Sequence, residues 1–303
     1  MVQMSDNMRG ALLMAGAMAS FTMNDAFMKF LTESMPLFQA ILLRGIGTTL
    51  MLIGLAWYLG QLYLRASRRD WMLMLVRAVS EMGGAWFFIT ALSNMPFANL
   101  SAILQSLPLT VTLVGALFLG EAVGWRRMAA ILVGFMGVLL IVQPGNDVFN
   151  IYSVYGLATV ACVTVRDIVS RMMSRAVPSL TVASVSALGV TLFAAVGSAF
   201  VTWQPLDDTA LWQLGGAMVF VFGGYLCSVG AMRVGELSFV APFRYTSLVT
   251  ALIVGALVFG TFPDGLTLLG AAIVVATGLF TLYRERVTRR ARLVAAAQPQ
   301  AGT

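Results

Sequence analysis

The sequence predicts an all-α membrane protein whose ten transmembrane helices form two inverted five-helix repeats around a central cavity. Three observations lead to this prediction. The 303 residues are 59% hydrophobic and only 11% charged, a balance that soluble domains do not have. Ten apolar segments approach the ~20 residues that a membrane-crossing helix needs. Finally, residues in the first half recur in the second half at a spacing of 140–142 positions.

The apolar segments follow one another with short loops between them, so no loop can hold a folded soluble domain. β-Barrel strands are excluded, because such strands are shorter and alternate in hydrophobicity. The segments cover residues 11–31, 37–58, 71–93, 96–119, 127–143, 152–174, 179–202, 211–232, 237–260 and 265–283.

The loop charges predict the orientation of these helices. Lys and Arg concentrate in alternate loops and after the last helix, and such loops face the cytoplasm. The intervening loops carry acidic residues without Lys or Arg, namely Glu33, Asp147, Asp207, Asp208 and Asp264. We therefore expect both termini on the cytoplasmic side of a bacterial inner (plasma) membrane.

The internal repeat pairs polar and glycine positions. Each half holds five helices, an odd number, so the second half enters the membrane from the opposite side and the repeat is inverted. We expect one repeat over residues 9–143, a second over 152–284 and a basic cytoplasmic tail over 285–303, which is frayed from Arg289 onward. The pairs are Asp25 with Asp167, Lys29 with Arg171, Pro36 with Pro178, Gly47 with Gly189, Gly83-Gly84 with Gly223-Gly224, and Gly115-Ala116-Leu117 with Gly255-Ala256-Leu257.

Composition also limits the chemistry. The chain has no histidine, which argues against a His-ligated metal site, and we expect neither a metal nor a cofactor. Cys162 and Cys227 lie in apolar segments and are expected to be small buried hydrophobes. The net charge of +6 does not predict nucleic-acid binding, because the basic residues lie in loops and at the C-terminus. An integral-membrane enzyme would need clustered nucleophiles, bases or metal ligands, and the acids here are spread singly.

Three sequence runs resemble those of the drug/metabolite transporter superfamily, in its EamA-type ten-helix branch. They are Thr22-Met23-Asn24-Asp25-Ala26, Gly115-Ala116-Leu117-Phe118-Leu119-Gly120-Glu121, and Gly134 to Leu140 followed by Gln143-Pro144-Gly145. The second repeat departs from this pattern, since Thr261 follows Gly260 where Glu121 follows Gly120. The resemblance implies a basket of ten helices and secondary transport of small metabolites by alternating access. It leaves the substrate open.

Three carboxylates lie inside predicted helices, where a charge costs ~3 kcal/mol or more. Asp25 and Asp167 should flank the membrane midplane from opposite sides, and we expect them to act as gate or coupling groups. The alternative is an ion pair one helical turn away, with Lys29 and Arg171 respectively. Glu81 is a third candidate for a gate or coupling role, but a structural ion pair with Arg77 is the favoured interpretation.

The arginines Arg44 and Arg244 lie about seven residues inside their helices and have no charged repeat counterpart. Charge that breaks the repeat symmetry is expected where a solute is recognised. The alternative is a buried pair with Asp25, Glu81 or Asp167. Arg166, next to Asp167, is a further candidate for binding the solute.

Four more residues complete the candidate solute site. Gln105 and Tyr245 are repeat equivalents in mid-helix, and Asn24 and Trp86 can contact a solute through an amide and a ring. For the aromatic residues, packing is the alternative. Because the deep charges nearly balance, a zwitterionic, anionic or neutral solute fits better than an organic cation, and the aromatic residues suit a ring-bearing solute.

The sequence thus predicts a secondary transporter of a small polar metabolite such as an amino acid or a vitamin. A riboflavin-type importer and an amino-acid or metabolite exporter both fit, and a channel or membrane scaffold is the alternative of another class. Protons as coupling ion and facilitated diffusion are both left open, as are a monomer and a homodimer.

Overall fold

The computed structural model describes residues 6–63, 65–118, 120, 124–145, 150–174, 176–234 and 237–297. Glu121 and Asp147, which entered the predictions above, lie outside these ranges. The helices are α1 (Asp6–Ser34), α2 (Leu37–Tyr58), α3 (Arg68–Asn94), α4 (Phe97–Leu104), α5 (Leu107–Phe118), α6 (Trp125–Val142), α7 (Ile151–Met172), α8 (Ser179–Ser198), α9 (Asp208–Val234), α10 (Leu237–Val240), α11 (Thr246–Leu257) and α12 (Gly265–Ala297), with a 3₁₀ helix, Ala241–Tyr245, between α10 and α11.

Within the described residues, eight of the ten predicted segments are long and apolar enough to cross a membrane, with α4 and α5 counted as one span. The other two are α1, whose second half carries Asn24, Asp25 and Lys29, and the segment from α10 to α11, whose apolar part Ala241–Leu257 is shorter. Together they make up the ten helices of the predicted fold, and the protein is an integral membrane protein.

Two segments that the sequence analysis treated as continuous helices are interrupted. Helix α4 ends at Leu104 and α5 begins at Leu107, directly before Pro108; the other interruption is the 3₁₀ helix that contains Pro242. Proline has no backbone N–H to donate and disturbs the preceding turn, which explains both. Because Gln105 and Tyr245 lie at these interruptions, the two repeats break at equivalent positions.

The C-terminal tail also differs from the prediction. Helix α12 continues to Ala297, so the expectation of a frayed segment is wrong for residues 289–297. Arg and Ala, which make up most of this stretch, are strong helix formers.

Helices of one repeat pack mainly against helices of the other. Helix α1 packs against α9 and α7 against α3, and these two pairs are related by the repeat. In the pairs α2–α8 and α6–α12, the two helices are repeat equivalents of each other. The pseudo-two-fold axis therefore passes between the two helices of each pair. The hydroxyls of the repeat equivalents Thr49 and Thr191 are 3.0 Å apart on this axis.

Equivalent contacts tie α2 to α8 at the two ends of the bundle. We call the face with both termini the terminal face, and the face where α1 ends and α2 begins the distal face. At the distal face, the Gln39 amide donates to the Gln204 carbonyl and accepts from the Gln204 backbone N–H. At the terminal face Thr181, 142 positions after Gln39, accepts from the Tyr63 N–H and donates to the Gln61 carbonyl. The α2–α8 pair is thus fixed at both faces.

Candidate functional site

Charged side chains from several helices meet in one region, which we call the charge cluster. Its members are Asp25 on α1, Arg44 on α2, Arg77 and Glu81 on α3, Arg166 and Asp167 on α7, and Arg244 on the 3₁₀ helix. The hydroxyl of Tyr225 on α9 lies within electrostatic range of Glu81 and of three of the arginines. Both repeats therefore contribute to the cluster.

Glu81 lies at the centre of the cluster. Its Oε2 is 3.5 Å from Arg77 Nη2 and its Oε1 is 3.8 Å from Arg166 Nη1, so the predicted Arg77–Glu81 pair is confirmed. Arg77 also donates from Nε to Ser186 Oγ at 3.1 Å and from Nη1 to Ser170 Oγ. These contacts hold α3 against α7 and α8.

The two repeat-related aspartates have different partners. Asp167 Oδ1 pairs with Arg166 Nη2 at 2.8 Å, whereas Asp25 Oδ1 accepts from the neutral Asn24 Nδ2 at 2.9 Å. The alternative pairing of Asp25 with Lys29 is wrong, because Lys29 donates to backbone carbonyls at the end of α3 instead.

Arg44 is loosely held. Its Nη1 donates to Asn24 Oδ1 at 3.4 Å, a long hydrogen bond, and its Nε is buried without a hydrogen-bond partner among the described residues. Asp25 and Glu81 act on it electrostatically, but neither lies within ion-pair distance of it. A guanidinium has five N–H donors, so most of those on Arg44 have no acceptor in the part of the chain that the structure describes.

Arg244 approaches the cluster from the terminal side. Its charge acts on Asp167, Arg166 and Arg171, and its side chain is exposed. Because it projects from the interrupted segment rather than from a regular helix, its position is set by the 3₁₀ helix.

The contacts of the Gln105 and Tyr245 side chains do not include the charged groups of the charge cluster. Gln105 is buried and donates to Ser247 Oγ at 2.9 Å, which joins the two interrupted segments. The hydroxyl of Tyr245 is buried and has no hydrogen-bond partner within the described ranges. The Tyr245 ring lines a pocket of about 270 Å³ together with Pro242, Phe243 and Leu279, and this pocket is apolar.

Trp86 belongs to an aromatic group between α3 and α7. Its ring centroid is 5.7 Å from that of Tyr155 and 4.9 Å from that of Phe87. Tyr152 lies 6.0 Å from Tyr155. Tyr155 and Phe87 are not among the residues predicted for the site from the sequence. The spacing of Tyr152 and Tyr155 by about one helical turn is the signal that could have indicated this group. This aromatic group lies nearer the distal face than Glu81.

Charged side chains of the cluster are not sealed in dry packing. Arg77, Glu81, Asp167 and Arg166 keep 15–28% of their side-chain surface accessible, so these side chains are not fully buried. No group of three or more His, Cys, Asp or Glu residues in the described part of the chain could hold a metal ion. The arginines and carboxylates of the cluster offer both positive and negative charge for binding.

Comparison with known proteins decides the family. The model of the EamA-like transporter family matches residues 8–143 and, a second time, residues 150–283. This chain belongs to the EamA-like transporter family. The two matches of the family model fit the two repeats of the chain. The protein is a transporter rather than an enzyme.

Relatives of this EamA-like transporter have several transport roles. The S-adenosylmethionine uptake transporter of Rickettsia bellii (strain RML369-C) is 26% identical over 89% of this chain and 92% of its own length. The riboflavin transporter of Vibrio cholerae serotype O1 is 32% identical over 77% of this chain and 78% of its own. A pseudopaline exporter of Pseudomonas aeruginosa is 27% identical over 88% and 93%. A crystal structure of another protein matches at a TM-score of 0.64 with 20% identity, covering 92% of this chain and 98% of its own, which supports the fold alone.

Proposed function

We propose that the protein is a secondary transporter that moves a small polar metabolite across the bacterial inner membrane by alternating access, with the charge cluster as its solute site and both termini in the cytoplasm. The observation that carries this proposal is Arg44. A half-buried guanidinium with one long hydrogen bond is costly inside a membrane protein. An anionic group on a passing solute would satisfy it.

The solute that best fits the cluster carries charges of both signs. Arg44 can bind a carboxylate in a bidentate manner. Glu81 and Asp25 offer negative charge for an ammonium group, because Glu81 has only long ion pairs, at 3.5 and 3.8 Å, and Asp25 has an amide partner. An α-amino acid group supplies both charges. S-Adenosylmethionine, named for the Rickettsia bellii relative, contains such a group together with an aromatic base.

A riboflavin-type vitamin is the second candidate. The aromatic group of Trp86, Phe87 and Tyr155 offers rings against which a flat ring system can stack. The relative from Vibrio cholerae is a riboflavin transporter. An uncharged vitamin would leave Arg44 without a carboxylate, and for this reason we place it second.

Transport in proteoliposomes tests these candidates. Purified protein is expected to show saturable counterflow of S-adenosylmethionine or of an amino acid, and competition by the same compounds. Saturable riboflavin flux without amino-acid competition would favour the second candidate. The absence of counterflow and of ligand-induced thermal shift with all of these compounds would contradict the proposal, and a single-channel conductance would favour a channel.

Proton coupling is tested in the same vesicles with an imposed pH gradient. Asp25 is the coupling candidate that we favour, because a carboxylate whose described partner is a neutral amide can exchange a proton at low electrostatic cost. If protons are coupled, flux follows the gradient in the parent protein and in Asp167→Asn but loses this dependence in Asp25→Asn. Flux that ignores the gradient in all three proteins indicates facilitated diffusion.

A further inference from the structure

Lys29 makes a contact that the solute site does not explain. Its Nζ donates to the backbone carbonyls of Leu92 and, at 3.0 Å, Met95. These carbonyls lie at the C-terminal end of α3, where helix carbonyls lack partners and the helix dipole is negative. Lys29 therefore holds the distal part of α1 against the end of α3 through a charge-assisted interaction.

Two further contacts close the same place. Ser93 Oγ donates to Thr32 Oγ1 at 2.8 Å, again between α3 and α1. The ring of Phe259, just after α11, lies 4.9 Å from Phe30 and 5.4 Å from Phe97 between centroids, and Lys29 Nζ lies 5.7 Å from its centre. These contacts lie nearer the distal face than the charge cluster does.

The elements that meet here belong to two different groups of helices. Helix α1 packs against both α9 and α11, and its repeat equivalent α7 packs against both α3 and α5. Helix α1 also packs against α3, whereas among the described residues α7 and α9 do not pack to a similar extent. The repeat-related contact is thus made at the distal face and not equally at the terminal face.

We propose that Lys29 is the latch of a distal gate, which must release the end of α3 each time the solute site opens to the distal side. The register of the repeat assigns the corresponding position at the terminal face to Arg171, because Lys29 and Arg171 are 142 positions apart. The latch lies outside the charge cluster, and its role is to set which face is open. Only the predicted effect of the latch on flux depends on the proposed transport function.

Cross-linking tests the gate without a known solute. The probe is Thr32→Cys with Ser93→Cys in full-length protein that also carries Cys162→Ala and Cys227→Ala. Oxidation should join the two introduced thiols rapidly. Lys29→Met should slow the cross-link by about fivefold, the effect of losing ~1 kcal/mol of charge-assisted hydrogen bonding, and Lys29→Arg should restore the rate because arginine also donates to carbonyls.

The same cross-link should stop transport, and reduction should restore it. A matched control joins Thr49→Cys to Thr191→Cys, which lie on the pseudo-two-fold axis and should move little, so this cross-link should leave flux nearly intact. The proposal is overturned if Lys29→Met leaves the cross-linking rate unchanged, or if the fully cross-linked probe transports as fast as the same protein after reduction. A protein whose cross-linking depends on Lys29 but that moves no solute would contradict the proposed function and not the latch.

Discussion

The pairs Asn24–Asp25 and Arg166–Asp167 occupy equivalent positions in the two repeats, 142 residues apart, but differ in chemistry. In the second repeat the carboxylate has an arginine at 2.8 Å. In the first, its neighbour is a neutral amide at 2.9 Å, and the nearby cation Arg44 contacts the amide rather than the carboxylate. One pair is satisfied within the protein and the other is not.

This difference suggests how a symmetric frame acquires a specific site. The inverted repeat requires matched helices, but it does not require matched charges. The second pair, with Arg77 and Glu81, forms a connected network that stabilises the packing of α3, α7 and α8. The first pair and Arg44 have hydrogen-bond donors and acceptors that are not used within the described residues. We propose that these groups bind the solute.

The largest effect is expected from removing Arg44. Arg44→Gln should lower the transport efficiency for a zwitterionic solute about 100-fold, because a charge-assisted bidentate contact of ~3 kcal/mol is lost. Initial rates of counterflow measure this. The matched control is Arg69→Gln at the exposed start of α3, which should transport normally. Equal rates in Arg44→Gln and the parent protein would contradict the assignment.

A smaller effect is expected on stability, where substitutions of the two aspartates should differ. Asp167→Asn leaves Arg166 without its closest partner and should lower the free energy of unfolding by about 2 kcal/mol. Asp25→Asn removes a charge that has no ion pair among the described residues and should leave stability nearly unchanged. Thermal unfolding of both variants in detergent checks this. Equal losses would mean that the two pairs are equivalent.

The sequence predicted the frame better than the contacts. Hydropathy and the repeat located the ten helices, because both depend on residue type and spacing. They did not predict the interruptions beside Pro108 and Pro242, since proline is tolerated inside many membrane helices. The partner of Lys29 could not be predicted either. It consists of backbone carbonyls on a helix more than 60 positions away, and side-chain patterns do not report such acceptors.

The smallest effect is expected at a third carboxylate, outside the membrane-spanning segments. Asp264 precedes α12 and accepts hydrogen bonds from the Thr267 backbone and from Gln143 Nε2 at 2.8 Å. Hydrogen bonds from Thr267 and Gln143 lower the pKa of Asp264 below its ordinary value of 3.8. Asp264→Ala should destabilise the protein by about 0.5–1 kcal/mol at neutral pH, since a helix cap is lost.

The pH dependence of that difference has a definite sign. A carboxylate with a lowered pKa contributes stability above its ordinary pKa, and this contribution is lost as the pH falls through the folded-state value. The melting temperatures of the parent protein and Asp264→Ala should therefore converge below pH 3.8. A difference that persists undiminished in acid would mean that the charge of Asp264 contributes nothing.

Equilibrium binding of a labelled zwitterionic solute to purified protein tests the central claim most directly. We expect saturable binding of S-adenosylmethionine or an amino acid that Arg44→Gln weakens about 100-fold and Arg69→Gln preserves. Analogues without the carboxylate should compete at least tenfold more weakly, as expected when a contact of ~1.4 kcal/mol or more is lost. If the affinity depends neither on the carboxylate of the solute nor on Arg44, the charge cluster does not recognise the solute.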